Sequence, residues 1–306
     1  MRITQANLLL FNTQNLQQQQ QRLVTLQEQA ASGSALLDPT ADPSAYSQSL
    51  TLQHAQSAAT SLDKTSQQVQ EMMGTYDNVL GQVEQNLASA KSLALEATSP
   101  SMDSQTRQAL QNQVNDLLNQ TVSLANYSDS GRYIFGGSKN GQPPYTSVSG
   151  TNGVTSVTFT GDQRTQSAVF DNGVTVASTV SGTDVFGNPP DNASSAIGAL
   201  ISLRDGLANG DQTSISNSAN ALDNASNQVL AVRAEVGVRT QHLQSLDTFR
   251  QQVEAQLTKS QASVSDTNLP ATATQLASQQ LAYEAAINVT YQMNQQMSLL
   301  TQMSKG

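Results

Sequence analysis

The chain reads as mainly α-helical with a small β insert: long antiparallel coiled-coil helices carrying a β-rich module at the tip. Three observations predict this. First, Leu52, Ala55, Ala59, Leu62, Ser66, Val69, Met73, Tyr76, Leu80, Val83, Leu87, Ala90, Ala94 and Ala97 keep an unbroken three–four spacing, with Ser66 its one polar member. A 3.5-residue period lays a narrow seam along one side of a helix, the geometry of a coiled coil. Second, all eight prolines (Pro39, Pro43, Pro100, Pro143, Pro144, Pro189, Pro190 and Pro270) fall where helical periodicity stops, as a residue without a backbone N–H must. Third, residues 131–187 hold ten of the 18 glycines and six of the 13 aromatics.

The elements follow in order. Up to about Leu37, Leu9, Leu16, Leu23 and Ala30 recur every seven residues, with Leu26 between them, and the only charges are Arg2, Arg22 and Glu28. After the turn Asp38-Pro-Thr-Ala-Asp-Pro43 comes the long seam helix, which at 1.5 Å per residue is roughly 70 Å long. It ends near Ser99-Pro100, and Asp103 or Ser104 can cap the next helix, whose seam is Leu110, Val114, Leu117, Thr121 and Leu124. Val154–Thr160 and Val174–Val180 are β-branched runs that read as strands. Asn172-Gly173 is the dipeptide favoured in tight hairpin turns. Helical pattern returns with Ile197, Leu200, Ile201 and Leu207. A second long heptad follows through Leu222, Val229, Val236, Leu243 and Leu257, with Ala225, Val232, Leu246 and Val253 in the other register; Arg239 and Arg250 interrupt it. The last segment, from Leu269, carries Leu276, Tyr283, Ile287, Met297 and Leu300, with only Glu284 and Lys305 charged.

The expected division is a terminal coiled-coil domain of residues 1–44 and 265–306, a helical rod of 45–135 and 191–264, and a β-rich outer domain of 136–190. The ends are almost uncharged and rich in Gln. Such helices bury little by themselves and are marginal in water, so they are expected to order against other subunits. The candidate subunit-interface residues are Leu9, Leu16, Leu23, Leu26, Leu276, Tyr283, Ile287, Met297 and Leu300, with Leu23 expected to be solvated in the free chain. The β module is expected to be an outward insertion separate from the rod core.

Composition narrows the function. Of the 306 residues, 12% are charged and the net charge is −9, an unfavourable balance for nucleic acid, which needs clustered Lys and Arg. No stretch approaches the roughly 20 apolar residues of a membrane span. There is no cysteine, hence no disulfide and no thiolate metal site. The start Met1-Arg-Ile-Thr4 lacks the apolar stretch of a cleaved secretory signal; the chain is therefore expected to stay in the cytoplasm or to leave by a route that spares its N-terminus.

Chemistry is sparse. His54 and His242 lie in separate heptad helices with no second ligand near by. Asp38 and Asp42 flank a Pro-rich turn, where Asx-type hydrogen bonding explains them. Gly131-Arg-Tyr-Ile-Phe-Gly136 has the glycine spacing of a phosphate loop, but Gly137 stands where that loop requires Lys. No catalytic constellation and no cofactor site is expected. A structural assembly protein fits every feature, and a coiled-coil regulator or adaptor shares the heptads without needing the β module.

Several stretches carry a family resemblance: Met1-Arg-Ile-Thr4, Leu26-Gln-Glu-Gln-Ala-Ala-Ser-Gly33, Pro39-Thr-Ala-Asp-Pro43, Leu93-Ala-Leu-Glu-Ala97, Leu124-Ala-Asn126, Gly131-Arg-Tyr-Ile-Phe-Gly-Gly137, Gly182-Thr-Asp-Val-Phe186 and Gln280-Leu-Ala-Tyr-Glu-Ala-Ala286. Together they resemble the flagellin-like proteins, and among these the hook–filament junction proteins. The most specific stretch is 131–137, with Gly131, Arg132, Tyr133, Phe135, Gly136 and Gly137 as motif residues. Ala41 stands where the family usually has a second aspartate. A flagellin-type filament subunit is the alternative; Gln29-Ala-Ala-Ser-Gly33 and Ala41-Asp-Pro-Ser-Ala45 depart from the flagellin pattern. The resemblance implies a flagellin-like rod and a ring of subunits between hook-associated protein 1 and flagellin. It also implies type III export without a cleaved signal peptide, a dedicated export chaperone, and an extracellular place on the flagellum.

Overall fold

The computed structural model describes every residue except 1, 41, 100–101, 151–152, 171–172, 190–194 and 304–306; the side chains of 2–6, 8–9, 149, 153, 155 and 297–303 also lie outside the description. Helices run where the three–four pattern holds, with proline only in a first turn (Pro43 and Pro270): α1 (Arg2–Ser32), α2 (Pro43–Ala97), α3 (Ser104–Ala125), α5 (Ala196–Asn209), α6 (Gln212–Ser265) and α7 (Leu269–Met303). Between α3 and α5 lie β1 (Ser128–Asp129), β2 (Arg132–Tyr133), β3 (Tyr145–Gly150), β4 (Gly153–Phe159), β5 (Ser167–Val169), β6 (Thr175–Ala177) and the short α4 (Gly182–Phe186). The strands make three separate antiparallel pairs, β1–β2, β3–β4 and β5–β6. Asp103 caps α3 as expected, its carboxylate accepting from the Thr106 N–H at 2.7 Å. The run expected as a strand to Val180 is shorter: the Ser178 N–H still donates in register to the Gln166 carbonyl at 2.8 Å, but the Gln166 N–H goes to the Thr179 hydroxyl at 2.7 Å and the ladder ends there. Asn172 of the hairpin turn lies outside the described residues; β5 and β6 pair around it, and Phe170 N–H meets the Val174 carbonyl at 2.7 Å.

The chain divides into two compact units, Met1–Ala59 with Gln251–Gly306, and Thr60–Arg250. The second unit holds the dry core. From Ser66 onward every expected seam residue of α2 to Ala97 is buried, and α6 contributes Leu222, Ala225, Val229, Val236 and Leu243. On α3 the buried face is rotated from the expected one. Leu110, Val114 and Thr121 are buried as expected, but Leu118, Val122 and Ala125 take the inner positions and leave Leu117 and Leu124 half-buried. That face meets α5, which packs on α3 and buries Ile197, Leu200 and Leu203.

The polar interruptions of the two long seams meet each other. Asp247 accepts from the Ser66 hydroxyl at 2.7 Å and from the Gln70 amide, and Arg250 bridges Asp247 and Asp63, the latter at 3.0 Å. A polar residue at one seam position costs stability and specifies pairing; here Ser66 and the Nη2 of Arg250 meet through Asp247 where full burial ends, while Arg250 Nε and Nη1 stay buried without a hydrogen-bond partner. Arg239, the other interruption, donates to the Thr179 carbonyl at 3.0 Å and to Glu235 at 2.5 Å. It therefore ties the segment after β6 to α6.

The β region is not a detached insertion. Phe135 is fully buried with its ring edge-on to Tyr76 of α2 at 5.4 Å and to Phe186 of α4 at 4.9 Å, and Tyr145 of β3 packs on Phe186 at 5.6 Å. Tyr76 donates its hydroxyl proton to the Ile134 carbonyl at 2.6 Å. Arg204 of α5, 4% exposed, donates to the Val154 carbonyl of β4. Helix and insert thus share one core, because six aromatics cannot be covered by three two-stranded ribbons alone.

Burial pushes the Tyr76 hydroxyl up from 10.0 to about 12, against the opposing Val180 hydrogen bond and Arg239 charge. Tyr145 is also raised, by burial and then by the Asp184 charge. Both pKa values lie above the unfolded one, so the stability they lend is complete below pH 10 and is lost as pH climbs through the folded values. We expect the melting temperature to fall steeply between pH 10 and about 12, in step with tyrosinate absorbance; a flat profile there would contradict the buried pair.

The first unit is built differently. Among its described residues Thr272, 5% exposed, is the one fully buried side chain. Its helices pair through half-buried contacts such as Gln261 to Ser49 at 2.7 Å and Gln279 to the Gln19 carbonyl at 3.3 Å. With no dry core, local opening costs little. Limited proteolysis of the free chain should therefore cut within residues 1–59 and 251–303 well before any site in 60–250; simultaneous cleavage of both would refute the difference.

Candidate assembly interface

The candidate interface is carried by α1 and α7, which contact each other within the first unit. They run antiparallel: Asn12 lies against Met293, and at the other end Ser34 pairs with Asp266. The seven-residue stripe of α1 turns toward α7. Leu16, Leu23 and Leu26 are half-buried, as are Leu276 and Tyr283 of α7. Leu23 is therefore not fully solvated in the free chain, because α7 already covers part of it. Ile287 is 44% exposed and stands off this seam. The side chains of Leu9, Met297 and Leu300 lie outside the described residues.

A second apolar set points away from the seam. It consists of Leu10, Phe11 and Val24 on α1 and Leu281, Val289 and Tyr291 on α7, which with Ile287 are between 43% and 69% exposed. Single exposed apolar residues are ordinary, but several large ones on a charge-poor pair of helices make a candidate interaction surface. Heptad reading passed over them because they fall between seam positions. Their signal was composition: Phe and Tyr in stretches otherwise filled by Gln, Asn and Thr.

The motif residues 131–137 belong to the second unit and make a tertiary knot. Ser130 and Gly131, with φ of 50° and 78°, turn β1 into β2, and Arg132 is exposed. Tyr133 donates its N–H to the Asn140 carbonyl at 2.9 Å, and Phe135 fills the aromatic core. Gly137 has φ +67°, and a Cβ there would lie 2.1 Å from Asp162 Oδ1, so no other residue fits. Asp162 accepts from the Ser138 N–H at 2.7 Å and from its hydroxyl, which holds the Asp162 carboxyl below the usual range.

His54 and His242 are exposed on α2 and α6. Among the described residues no three His, Cys, Asp or Glu side chains gather as a metal would need, and no helix is long and apolar enough to cross a membrane.

The bacterial flagellin N-terminal helical region matches residues 3–140. Flagellar hook-associated protein 3 of Escherichia coli K12 is 27% identical over 300 residues, spanning 90% of this chain and 94% of the relative. The chain is a relative of flagellar hook-associated protein 3. Its fold agrees. Bacillus cereus FlgL superposes with a TM-score of 0.58 at 21% identity, over 69% of this chain and 99% of the other. The flagellar junction protein FlgL of Legionella pneumophila gives 0.54 at 14% identity, over 71% and 100%. The mainly helical class with small antiparallel strand pairs therefore holds, and the curated relatives it resembles are flagellar proteins by name.

Proposed function

We propose that the protein is a structural junction subunit of the bacterial flagellum, forming a ring between hook-associated protein 1 and the flagellin filament. The observation that carries this reading is the asymmetry of burial. The second unit is closed around its own core, whereas α1 and α7 keep Phe11, Leu281, Val289 and Tyr291 in water with no dry core among their described residues. A surface of that kind is completed by neighbours. In this reading residues 1–44 and 265–306 are the part ordered on assembly, 45–135 and 191–264 the rod, and 136–190 the outer part.

Export fits the same chain. The absence of cysteine precludes cross-links that would block a narrow type III channel, and weakly closed ends are easily threaded and then held by a cytoplasmic chaperone until release. The protein works outside the cell, without catalysis or cofactor. The test is a deletion strain: hooks present, filaments absent and flagellin in the medium, restored by the full chain. Normal filaments in that strain would overturn the reading, and short filaments built of this protein would favour the filament-subunit alternative.

A further inference from the structure

The apolar seam between α2 and α6 does not by itself choose a register. Val69, Tyr76, Val83 and Ala90 recur every seven residues on α2, as Leu222, Val229, Val236 and Leu243 do on α6. A slide by one heptad therefore lays apolar side chains on apolar side chains again. The choice lies beside the seam. One place further along α2, the same period gives Asp63, Gln70, Asp77, Glu84 and Lys91. All five reach across to α6. Arg250 donates to Asp63 at 3.0 Å, and the Gln70 amide donates to Asp247. Arg233 holds Asp77 at 2.6 Å and Glu84 at 3.0 Å, and Lys91 meets Asp223 at 2.5 Å. The partners descend along α6 as the row climbs α2, so every pair belongs to one antiparallel register.

We propose that this row is a register code, which selects one pairing of α2 with α6 by penalising the pairings one heptad away. With each α2 position taken by the residue seven further on, Asp247 meets Asp77 in place of Gln70, and Arg233 meets Lys91 beside Glu84. With the residue seven earlier, Asp247 meets Asp63, and Asp223 meets Glu84 in place of Lys91. Either slip keeps apolar contacts and sets like charges against each other. The ion pairs to Arg233 and Lys91 are part-exposed, so their attraction in the native register adds little to stability. Their weight falls on the wrong registers, as charges flanking a coiled-coil seam set partner and orientation. The code belongs to the second unit alone and does not rest on the flagellar reading.

The chain has no cysteine, so nitroxide labels can be placed at Gln68→Cys on α2 and Gln228→Cys on α6, both exposed positions. Double electron–electron resonance on the full chain, refolded from urea, reads the distance between them. With the natural row we expect one distance. Asp77→Lys with Glu84→Lys and Arg233→Glu keeps opposite charges at every native contact, but gives Asp247 an opposite charge in one slipped register as well. That charge-swapped variant should show a second population, longer by about 10 Å, the rise of seven helical residues. Neutral replacements at the same sites, Asp77→Asn with Glu84→Gln and Arg233→Gln, should give a smaller shifted population. A single, unshifted distance in the swapped variant overturns the code, and so does a split distance in the natural chain. Loss of helical dichroism in the swapped variant also counts against it, because every native pair there is kept. A shifted population as large in the neutral variant as in the swapped one would trace the register to attraction and overturn the like-charge penalty.

Discussion

A Leu281→Asp chain should fold, melt and be exported like the unmodified protein, yet fail to join filaments to hooks. Leu281 is 69% exposed on α7, so a carboxylate there stays hydrated and the free chain loses only a few tenths of a kcal/mol, within the range of ordinary surface changes. In a ring, the same carboxylate must be desolvated against a neighbour in every subunit, which costs several kcal/mol each without a partner. Leu80→Asp is the contrast. Leu80 is 0% exposed in the dry core, where truncation alone costs about 2–5 kcal/mol and the buried charge adds more. Against a total stability of about 5–15 kcal/mol, that variant should be largely unfolded. Leu23→Asp should fall between them, because half-buried Leu23 faces α7 in the free chain. The measurements are thermal unfolding of each purified variant and filament attachment in a deletion strain. Equal loss of stability in Leu281→Asp and Leu80→Asp would defeat the division into a closed unit and an open one.

Phe135→Ala should lower the melting temperature by about 10 °C or more. Removing a fully buried Phe costs about 3–5 kcal/mol, and each kcal/mol moves the midpoint of a domain this size by roughly 2–4 °C. The loss is not confined to the loop. Phe135 stands between Tyr76 and Phe186, and Gly182 leaves so little room that a Cβ there would meet the Phe135 carbonyl at 2.7 Å. The cavity therefore opens between α2 and α4, and near-ultraviolet dichroism of the tyrosines should fade with it. Replacing residues 141–189 by a Gly/Ser linker should act in the same direction, since it deletes Tyr145 and Phe186 and bares the rings of Phe135 and Tyr76. A linker variant as stable as the full chain would mean the aromatic cluster contributes little.

The sequence by itself determined the local events. Three–four periodicity from Leu52 to Ala97 and from Leu222 to Leu257 dictated long helices, the prolines dictated their ends, and Asp103 its cap. These are decided by residues within one or two turns, which any reader of the chain can see. The stretch Gly131–Gly137 stood out only through its resemblance to the flagellin-like proteins; its glycine spacing alone pointed nowhere.

Burial was decided only in three dimensions. The α2 seam is continuous in sequence, yet full burial starts at Ser66, because what matters is the helix lying opposite. Ser66 and Arg250 read as separate flaws until Asp247 brought them together from 181 residues away. Nothing in residues 131–137 states that Phe135 belongs to Tyr76, or that Gly137 is required by Asp162. The same holds at the ends of the chain. Leu16 and Leu23 share the heptad that marks a core, but α7 covers them only in part, while Phe11, Leu281 and Tyr291 remain in water. Periodicity fixes which side of a helix is apolar; the area removed from water depends on neighbours distant in sequence.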